Sequence, residues 1–261
     1  MKFKEIIHKC KIINKEKITD DFYSLEIVSP KLSKNSLPGQ FINVKCNDNK
    51  LLLRRPFGIS DIYLKNNTLK ILYKVVGDGT KCLSVMNVGD ELDVLGPLGK
   101  GFGYDNSLND KLVYLVSGGT GIAPFPYLIK SIKRYTNKII LFSGFKNKKE
   151  YLGEKYFEGL EVRNYISSDD GSIGSKGFIT DILLNEIKLK KIPSNIYACG
   201  PEEMLKKVSL IAEKYKIDCE ISLEEKMACG FGVCMGCTIK TKNGNKLVCK
   251  DGPVFKAEEI F

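Results

Sequence analysis

Met227-Ala228-Cys229-Gly230-Phe231-Gly232-Val233-Cys234-Met235-Gly236-Cys237, together with Cys249 in Val248-Cys249-Lys250-Asp251-Gly252-Pro253-Val254-Phe255, sets four cysteines at C-x4-C-x2-C-x11-C. Thiolates at this spacing suit a [2Fe–2S] cluster, because a loop carrying Gly230, Gly232 and Gly236 can wrap the cluster and turn backbone N–H groups toward its sulfurs. Structural zinc also takes four thiolates. It usually does so from two C-x2-C knuckles, however, and only one such pair occurs here, so the spacing favours a cluster. A disulfide framework fits poorly, since the cysteine count is nine and the other five, Cys10, Cys46, Cys82, Cys199 and Cys219, are scattered. Those five are expected as small apolar core residues.

A cluster moves electrons singly, so the rest of the chain should show their source. At 261 residues, 43% hydrophobic and 28% charged, there is room for two domains and a small appendage. The start, Met1 to Lys9, is too charged for a signal-peptide core and no run reaches the length of a membrane span, so a cytoplasmic protein without membrane association is expected. The net charge of +10 is spread along the chain without the interleaved aromatics of a nucleic-acid groove, which points to a lysine-rich solvated surface and no nucleic-acid partner. His8 is the only histidine, which leaves almost no scope for histidine acid–base or metal chemistry.

Up to about residue 103 short strands alternate with turns. Leu25 and Ile27 alternate with polar neighbours, Pro38-Gly39 turns into Gln40 to Val44, and Leu69, Ile71, Tyr73 and Val75 share one face opposite Lys70 and Lys74. The pattern predicts a small antiparallel barrel. Within it, Leu53-Arg54-Arg55-Pro56-Phe57-Gly58 places guanidinium groups beside an aromatic ring, which would suit the phosphate and flat ring of a flavin dinucleotide as well as a surface turn. Gly77-Asp78-Gly79-Thr80 opens a short helix expected over Lys81 to Val85. Its N–H groups could receive a pyrophosphate, or form a plain capped turn.

Gly96-Pro97-Leu98-Gly99-Lys100-Gly101-Phe102-Gly103 is dense in turn formers and marks an expected boundary. Strands then alternate with helices: strand Leu112 to Val116, a helix to about Arg134, strand Ile139 to Ser143, an extended segment near Glu161 to Ser167, helix Ile179 to Ile187, strand Asn195 to Cys199 and helix Glu202 to Lys214. This rhythm predicts a doubly wound parallel sheet with ligands beyond the carboxyl ends of its strands. Three loops fall there. Gly119-Thr120-Gly121 could let a pyrophosphate approach bare backbone, although G-x-G-x-x-P is not the Rossmann fingerprint. Cys199-Gly200-Pro201 leaves room for a nicotinamide. Ser167-Ser168-Asp169-Asp170-Gly171 is acidic, which would favour NADH over NADPH, although a solvated turn explains those aspartates equally well. The expected domains are 1–103 for flavin, 104–216 for NAD and 217–261 for the cluster.

Arg55-Pro56-Phe57, Gly119-Thr120-Gly121-Ile122-Ala123-Pro124 and Cys199-Gly200-Pro201, in this order, resemble the ferredoxin–NADP reductase superfamily. With Met227-Ala228-Cys229-Gly230, Cys249-Lys250-Asp251-Gly252-Pro253-Val254-Phe255 and Asp169-Asp170-Gly171-Ser172 followed by Lys176-Gly177, the chain resembles, from end to end, the family of electron-transfer subunits of dihydroorotate dehydrogenase B. The resemblance implies FAD in the barrel, contacted by Arg55, Pro56, Phe57 and Gly58, by Leu72, Tyr73 and Lys74, and by Gly79 and Thr80. It implies a [2Fe–2S] cluster on Cys229, Cys234, Cys237 and Cys249, with NAD at the second domain. It also implies a heterotetramer of two such chains with two FMN-containing catalytic subunits, serving pyrimidine biosynthesis. The family usually has serine where Gly58 stands, so a hydroxyl is missing there and a backbone N–H is the expected donor.

Oxidising dihydroorotate needs a base, and no base beside a substrate-sized polar pocket is evident, so substrate chemistry is assigned to the partner and electron relay to this chain. Phe231, Met235 and Phe255 are expected to shield the cluster, with one face of that segment as a docking surface. The small subunit of an NADH-dependent ferredoxin–NADP oxidoreductase or sulfide dehydrogenase shares these parts, but tends to carry glutamate where this chain has Val254. A zinc-stabilised binding module without electron transfer is the remaining alternative.

Overall fold

The computed structural model describes residues 6–46, 51–189 and 191–261. The charged start, Met1 to Glu5, lies outside them. Strands β1 (Ile7–Lys17), β2 (Phe22–Val28), β3 (Phe41–Lys45), β4 (Arg55–Tyr63), β5 (Thr68–Lys74) and β6 (Glu91–Leu98) close a barrel in the order β1-β2-β5-β4-β3-β6, with helix α1 (Pro30–Asn35) before β3 and helix α2 (Asp78–Val85) before β6. All six pairings are antiparallel, so no strand edge is left open. The alternation read from the sequence explains the interior: Leu25, Ile27, Ile42, Val44, Ile59, Leu69 and Ile71 are fully buried within one core.

Pro56 sits near the start of β4 without costing a ladder bond. Ile59 N–H donates to the Gln40 carbonyl at 3.0 Å, so by antiparallel alternation the Asn43–Pro56 pair falls at a non-hydrogen-bonded position. The same alternation turns the Gly58 N–H away from β3, to the side where pairing with β5 begins only at Ile59. The turn-rich stretch from Gly96 begins later than expected. Gly96, Pro97 and Leu98 complete β6, and the chain turns at Gly99 with φ of 73°.

Beyond it lie β7 (Val113–Gly118), α3 (Phe125–Ile132), β8 (Ile139–Phe145), α4 (Glu154–Glu158), β9 (Arg163–Ser168), β10 (Ser175–Lys176), α5 (Ile179–Lys188), β11 (Asn195–Cys199), α6 (Glu202–Tyr215) and β12 (Asp218–Ser222). Both faces of β7 are covered: Val113 and Leu115 join one core, and Tyr114 and Val116 join another, which explains its unbroken apolar run. The sheet order is β10-β9-β8-β7-β11-β12-β15, where β15 (Val254–Lys256) runs antiparallel at the edge. The chain moves outward from β7 to β9 and then returns to place β11 on the other side of β7. The strand order therefore reverses between β7 and β11, where open α/β sheets bind ligands.

The last segment adds the hairpin β13 (Thr238–Thr241) and β14 (Gly244–Leu247) and helix α7 (Ala257–Ile260). Its strand β15 continues the sheet through β12, so the sheet crosses the expected division at residue 216. The segment also packs against the barrel: Cys237, Val248, Cys249 and Phe255 share a cluster with Phe41, Leu95 and Leu98.

Barrel and sheet are tied by ion pairs. Asp61 of β4, 7% exposed, meets Lys130 of α3, 49% exposed. Because the lysine is half in water, the pair is worth less than a buried one. Replacing Lys130 with Met is expected to cost about 1–2 kcal/mol, and adding Asp61→Asn should recover part of it. Urea unfolding of the two variants checks this; no loss in the single variant would contradict the pairing.

Candidate functional site

One cleft of about 740 Å³ lies where barrel, sheet and C-terminal segment meet, lined by Arg55 to Gly58, Leu72 to Lys74 and Thr80 from the barrel and by Thr120 and Cys199 from the sheet. Ser222 to Met227 and Pro253 complete its wall. Nine of the fifteen residues expected to contact FAD or NAD come from the barrel, and among these only Gly79 is missing from that lining.

The two adjacent arginines divide their roles. Arg54 is held away from the cleft, its guanidinium donating to the Asp93 carbonyl at 2.9 Å and to the Asp93 carboxylate at 2.8 Å. Arg55 lines the cleft and lies over Gly79, where an added Cβ would stand 2.7 Å from Arg55 Nε. Gly79 therefore makes the room that lets the guanidinium lie across the first turn of α2. That helix starts at Asp78 rather than Lys81, because Thr80 Oγ1 accepts the N–H groups of Val76 and Gly77 at 2.9 and 3.1 Å and closes the turn. Lys74 pairs with Glu150 of the sheet domain at 2.5 Å. Its ammonium thus bridges the two domains.

Tyr73 packs between Tyr23, stacked at 5.9 Å, and Phe57, edge-on at 5.6 Å. Burial holds its phenol well above the usual tyrosine range, and its hydroxyl has no hydrogen-bond partner among the described residues. A buried donor left over on an apolar cleft with an arginine at its rim fits a flat heteroaromatic ring that carries phosphate, which is the chemistry of FAD.

At the switch point two loops meet backbone to backbone. An added Cβ on Gly121 would lie 2.1 Å from the Cys199 carbonyl, one on Gly118 2.6 Å from Pro201, and one on Gly200 2.8 Å from the Gly118 nitrogen. These glycines serve loop-on-loop packing. Gly119, with φ of 53° and open space where a Cβ would stand, presents free backbone of the kind a pyrophosphate needs, although of this loop only Thr120 lines the cleft. Cys199 is buried, and burial, assisted by the charge of Glu224, pushes its thiol far up, so it is a neutral, compact wall. Just past the end of β9, Asp169 and Asp170 are both exposed, and Asp170 is tied to the Ser172 N–H and hydroxyl at 2.9 and 2.6 Å. Gly200 and Pro201 adjoin Gly118 without lining the cleft themselves.

The four cysteines converge on one loop system. Gly232 N–H donates to Cys249 Sγ at 3.1 Å, Cys234 N–H to Cys229 Sγ at 3.4 Å and Cys249 N–H to Cys237 Sγ at 3.4 Å. Burial works against ionising Cys229, but N–H groups of Cys234, Phe231 and Val233 hold its thiol down to about 6. Cys249 goes the other way, raised to about 12 by burial and by its neighbour Cys237. Cys237 and Cys249 are buried, Cys229 is half-buried and Cys234 is exposed. Among the described residues no three His, Cys, Asp or Glu side chains gather around a single metal ion. A two-iron cluster does not require that, since each iron takes two thiolates. Sulfurs ringed by N–H donors fit such a cluster.

Glu224, which the sequence reading passed over, faces the cleft beside Cys199, and the surrounding walls hold its carboxyl above the usual carboxylate range. In the sequence it stands in Leu223-Glu224-Glu225-Lys226, which reads as an ordinary exposed turn. Only its position just before Met227-Ala228-Cys229 hints at more.

Three family models match the chain: an oxidoreductase FAD-binding domain over 9–103, an oxidoreductase NAD-binding domain over 115–209 and the iron-sulfur cluster binding domain of dihydroorotate dehydrogenase B over 224–261. The dihydroorotate dehydrogenase B (NAD(+)) electron transfer subunit of Caldanaerobacter subterraneus subsp. tengcongensis is 41% identical, covering 97% of this chain and 98% of that relative. The subunit of the same name from Fusobacterium nucleatum is 36% identical over the same shares. Among solved structures, an NADH-dependent reduced ferredoxin–NADP oxidoreductase superposes with a TM-score of 0.85 at 30% identity, covering 97% of this chain and 89% of the other. A ferredoxin NADP+ reductase from Neisseria gonorrhoeae, 18% identical with a TM-score of 0.65 over 80% of this chain and 91% of its own, shares the fold.

Gly121→Ala tests the loop packing. The added methyl should part the two loops and weaken NAD+ binding by about tenfold, roughly 1.4 kcal/mol, while FAD and iron content stay unchanged. Unaltered affinity in a nucleotide titration would contradict this placement.

Proposed function

The chain belongs to the family of dihydroorotate dehydrogenase B (NAD(+)) electron-transfer subunits, and from that membership we propose that it carries electrons from an FMN-containing catalytic subunit to NAD+. The net reaction of the assembly is dihydroorotate plus NAD+ giving orotate, NADH and a proton. When bound, FAD takes electrons singly from a [2Fe–2S] cluster and delivers them in pairs to nicotinamide. The observation that carries this reading is the single cleft walled by barrel, switch-point loops and the approach to the cluster loop.

The residues have separable tasks. Arg55, seated over Gly79, neutralises FAD phosphate, while Phe57 and Tyr73 pack its ring system and the Gly58 N–H replaces the usual serine hydroxyl. Pro56, Leu72, Lys74 and Thr80 shape the rest of that site. Gly119 and Thr120 receive the NAD pyrophosphate, Gly121 and Gly200 keep the loops close, and Cys199 with Pro201 leaves space for nicotinamide. Asp169 accepts from the ribose 2′-hydroxyl and repels a 2′-phosphate, so NAD is preferred to NADP. Cys229, Cys234, Cys237 and Cys249 ligate the cluster. The base that deprotonates dihydroorotate belongs to the catalytic subunit.

Two such chains with two catalytic subunits form the assembly, in the cytoplasm. Among the described residues no helix is long and apolar enough to cross a membrane. The likeness to the NADH-dependent ferredoxin–NADP oxidoreductase supports a second reading, in which the same domains serve another partner. Val254 after Gly252-Pro253 favours the first.

Anaerobic co-expression with a candidate catalytic subunit separates them. The purified complex should form NADH from dihydroorotate and NAD+, and Cys249→Ser should lower that rate at least about a hundredfold while substrate still reduces FMN. A chain that copurifies with no such subunit and yields no NADH would contradict the assignment.

A further inference from the structure

Asn43 is the buried polar residue of β3, and neither the barrel core nor the flavin site uses it. It is fully buried, and its side chain lies at the wall formed by Phe41, Leu95 and Leu98, against which the C-terminal segment packs. Its Nδ2 donates to the carbonyl of Cys229 at 3.4 Å. The reverse orientation would set Oδ1 against that carbonyl, acceptor to acceptor, so the neighbour fixes the amide. Oδ1 has no partner among the described residues. Gly230, the next residue, has φ of 80°, and a Cβ there would fall 2.0 Å from Asn43 Nδ2. Carboxamide and glycine are therefore fitted to one another.

The position of this contact matters. On one side Asn43 is the cross-strand partner of Pro56, beside Arg55 and Phe57 at the flavin cleft. On the other it holds the peptide between Cys229 and Gly230, from which the chain continues into the N–H groups that face Cys229 Sγ. N–H groups aimed at cluster sulfurs stabilise the reduced, more negative state and raise its potential, and outer partners that aim them tune the metal in turn.

Resting on the assignment of a cluster to the four cysteines, we propose that Asn43 is a positioning residue that anchors the Cys229–Gly230 peptide to the flavin-bearing wall of the barrel. It thereby keeps the N–H groups of the loop aligned on Cys229 and holds the cluster's potential within reach of the flavin. It touches neither substrate nor reacting atoms and acts through the loop.

The test uses the complete complex with its catalytic subunit and compares the unchanged protein with Asn43→Leu, similar in size without a donor, and Asn43→Ser, which keeps a shorter donor. Iron and FAD per chain are measured first, then the midpoint potential of the cluster by EPR-monitored titration. If the unchanged protein holds no cluster, the functional reading fails before this one is reached. The expected result is full FAD in both variants and a downward shift of potential with altered g values in Asn43→Leu, smaller in Asn43→Ser. Loss of the cluster alone from Asn43→Leu, with FAD retained and a lowered potential in Asn43→Ser, supports the anchor as well. A potential and spectrum identical to the unchanged protein in a fully loaded variant would overturn it. So would loss of both cofactors from both variants, which would make Asn43 a packing element of the barrel.

Discussion

A metal cluster on thiolates needs N–H donors around its sulfurs and protection from water, and a glycine-rich loop supplies the first but not the second. Here the protection comes from elsewhere in the chain. Cys237 and Cys249 are buried against Phe41, Leu95 and Leu98 on the outer wall of the barrel, while β15 binds the same segment to the edge of the nucleotide sheet. The cluster segment is thus held from both sides, and the cleft beneath it exists because Ser222 to Met227 must cross from sheet to cluster loop. Without that double attachment the three ligand sites would have no common wall.

Close backbone contact is the second constraint. At the strand-order reversal between β7 and β11, loops approach so tightly that no side chain fits at Gly118, Gly121 or Gly200. At the barrel, Gly79 gives Arg55 its seat, and at the cluster loop Gly230 gives Asn43 its seat. In each case a glycine permits an approach that positions a neighbouring polar group. Lys74 with Glu150 and Asp61 with Lys130 then set barrel against sheet.

Much of this was legible in the sequence. The cysteine spacing announced the cluster, period-two alternation in Leu69, Ile71 and Tyr73 announced the barrel, and the apolar run of β7 announced a sheet covered on both faces. What escaped has a common cause. Strand alternation sets Asn43 on the face opposite Ile42 and Val44, and the C-terminal segment that covers it there is 186 residues away in sequence. Glu224 reads as part of an exposed turn and is exposed, but that turn forms one wall of the cleft. The adjacent Arg54 and Arg55 look equivalent until the ladder sends one to Asp93 and the other to the cleft. Thr80 reads either as a ligand group or as a turn cap at a helix start, and in the fold it lines the cleft while its hydroxyl also closes the turn. Local pattern reveals which element a residue belongs to; long-range packing decides what its side chain meets.

The proposed relay requires one chain to join nicotinamide, flavin and cluster around a single cleft. Anaerobic addition of NADH to the purified chain tests it most directly, with visible and EPR spectra recorded together. Bleaching of the flavin absorbance accompanied by the rhombic EPR signal of a reduced [2Fe–2S] cluster is the predicted result. A colourless protein that contains zinc, or a flavin that bleaches while the cluster stays oxidised, would contradict the account.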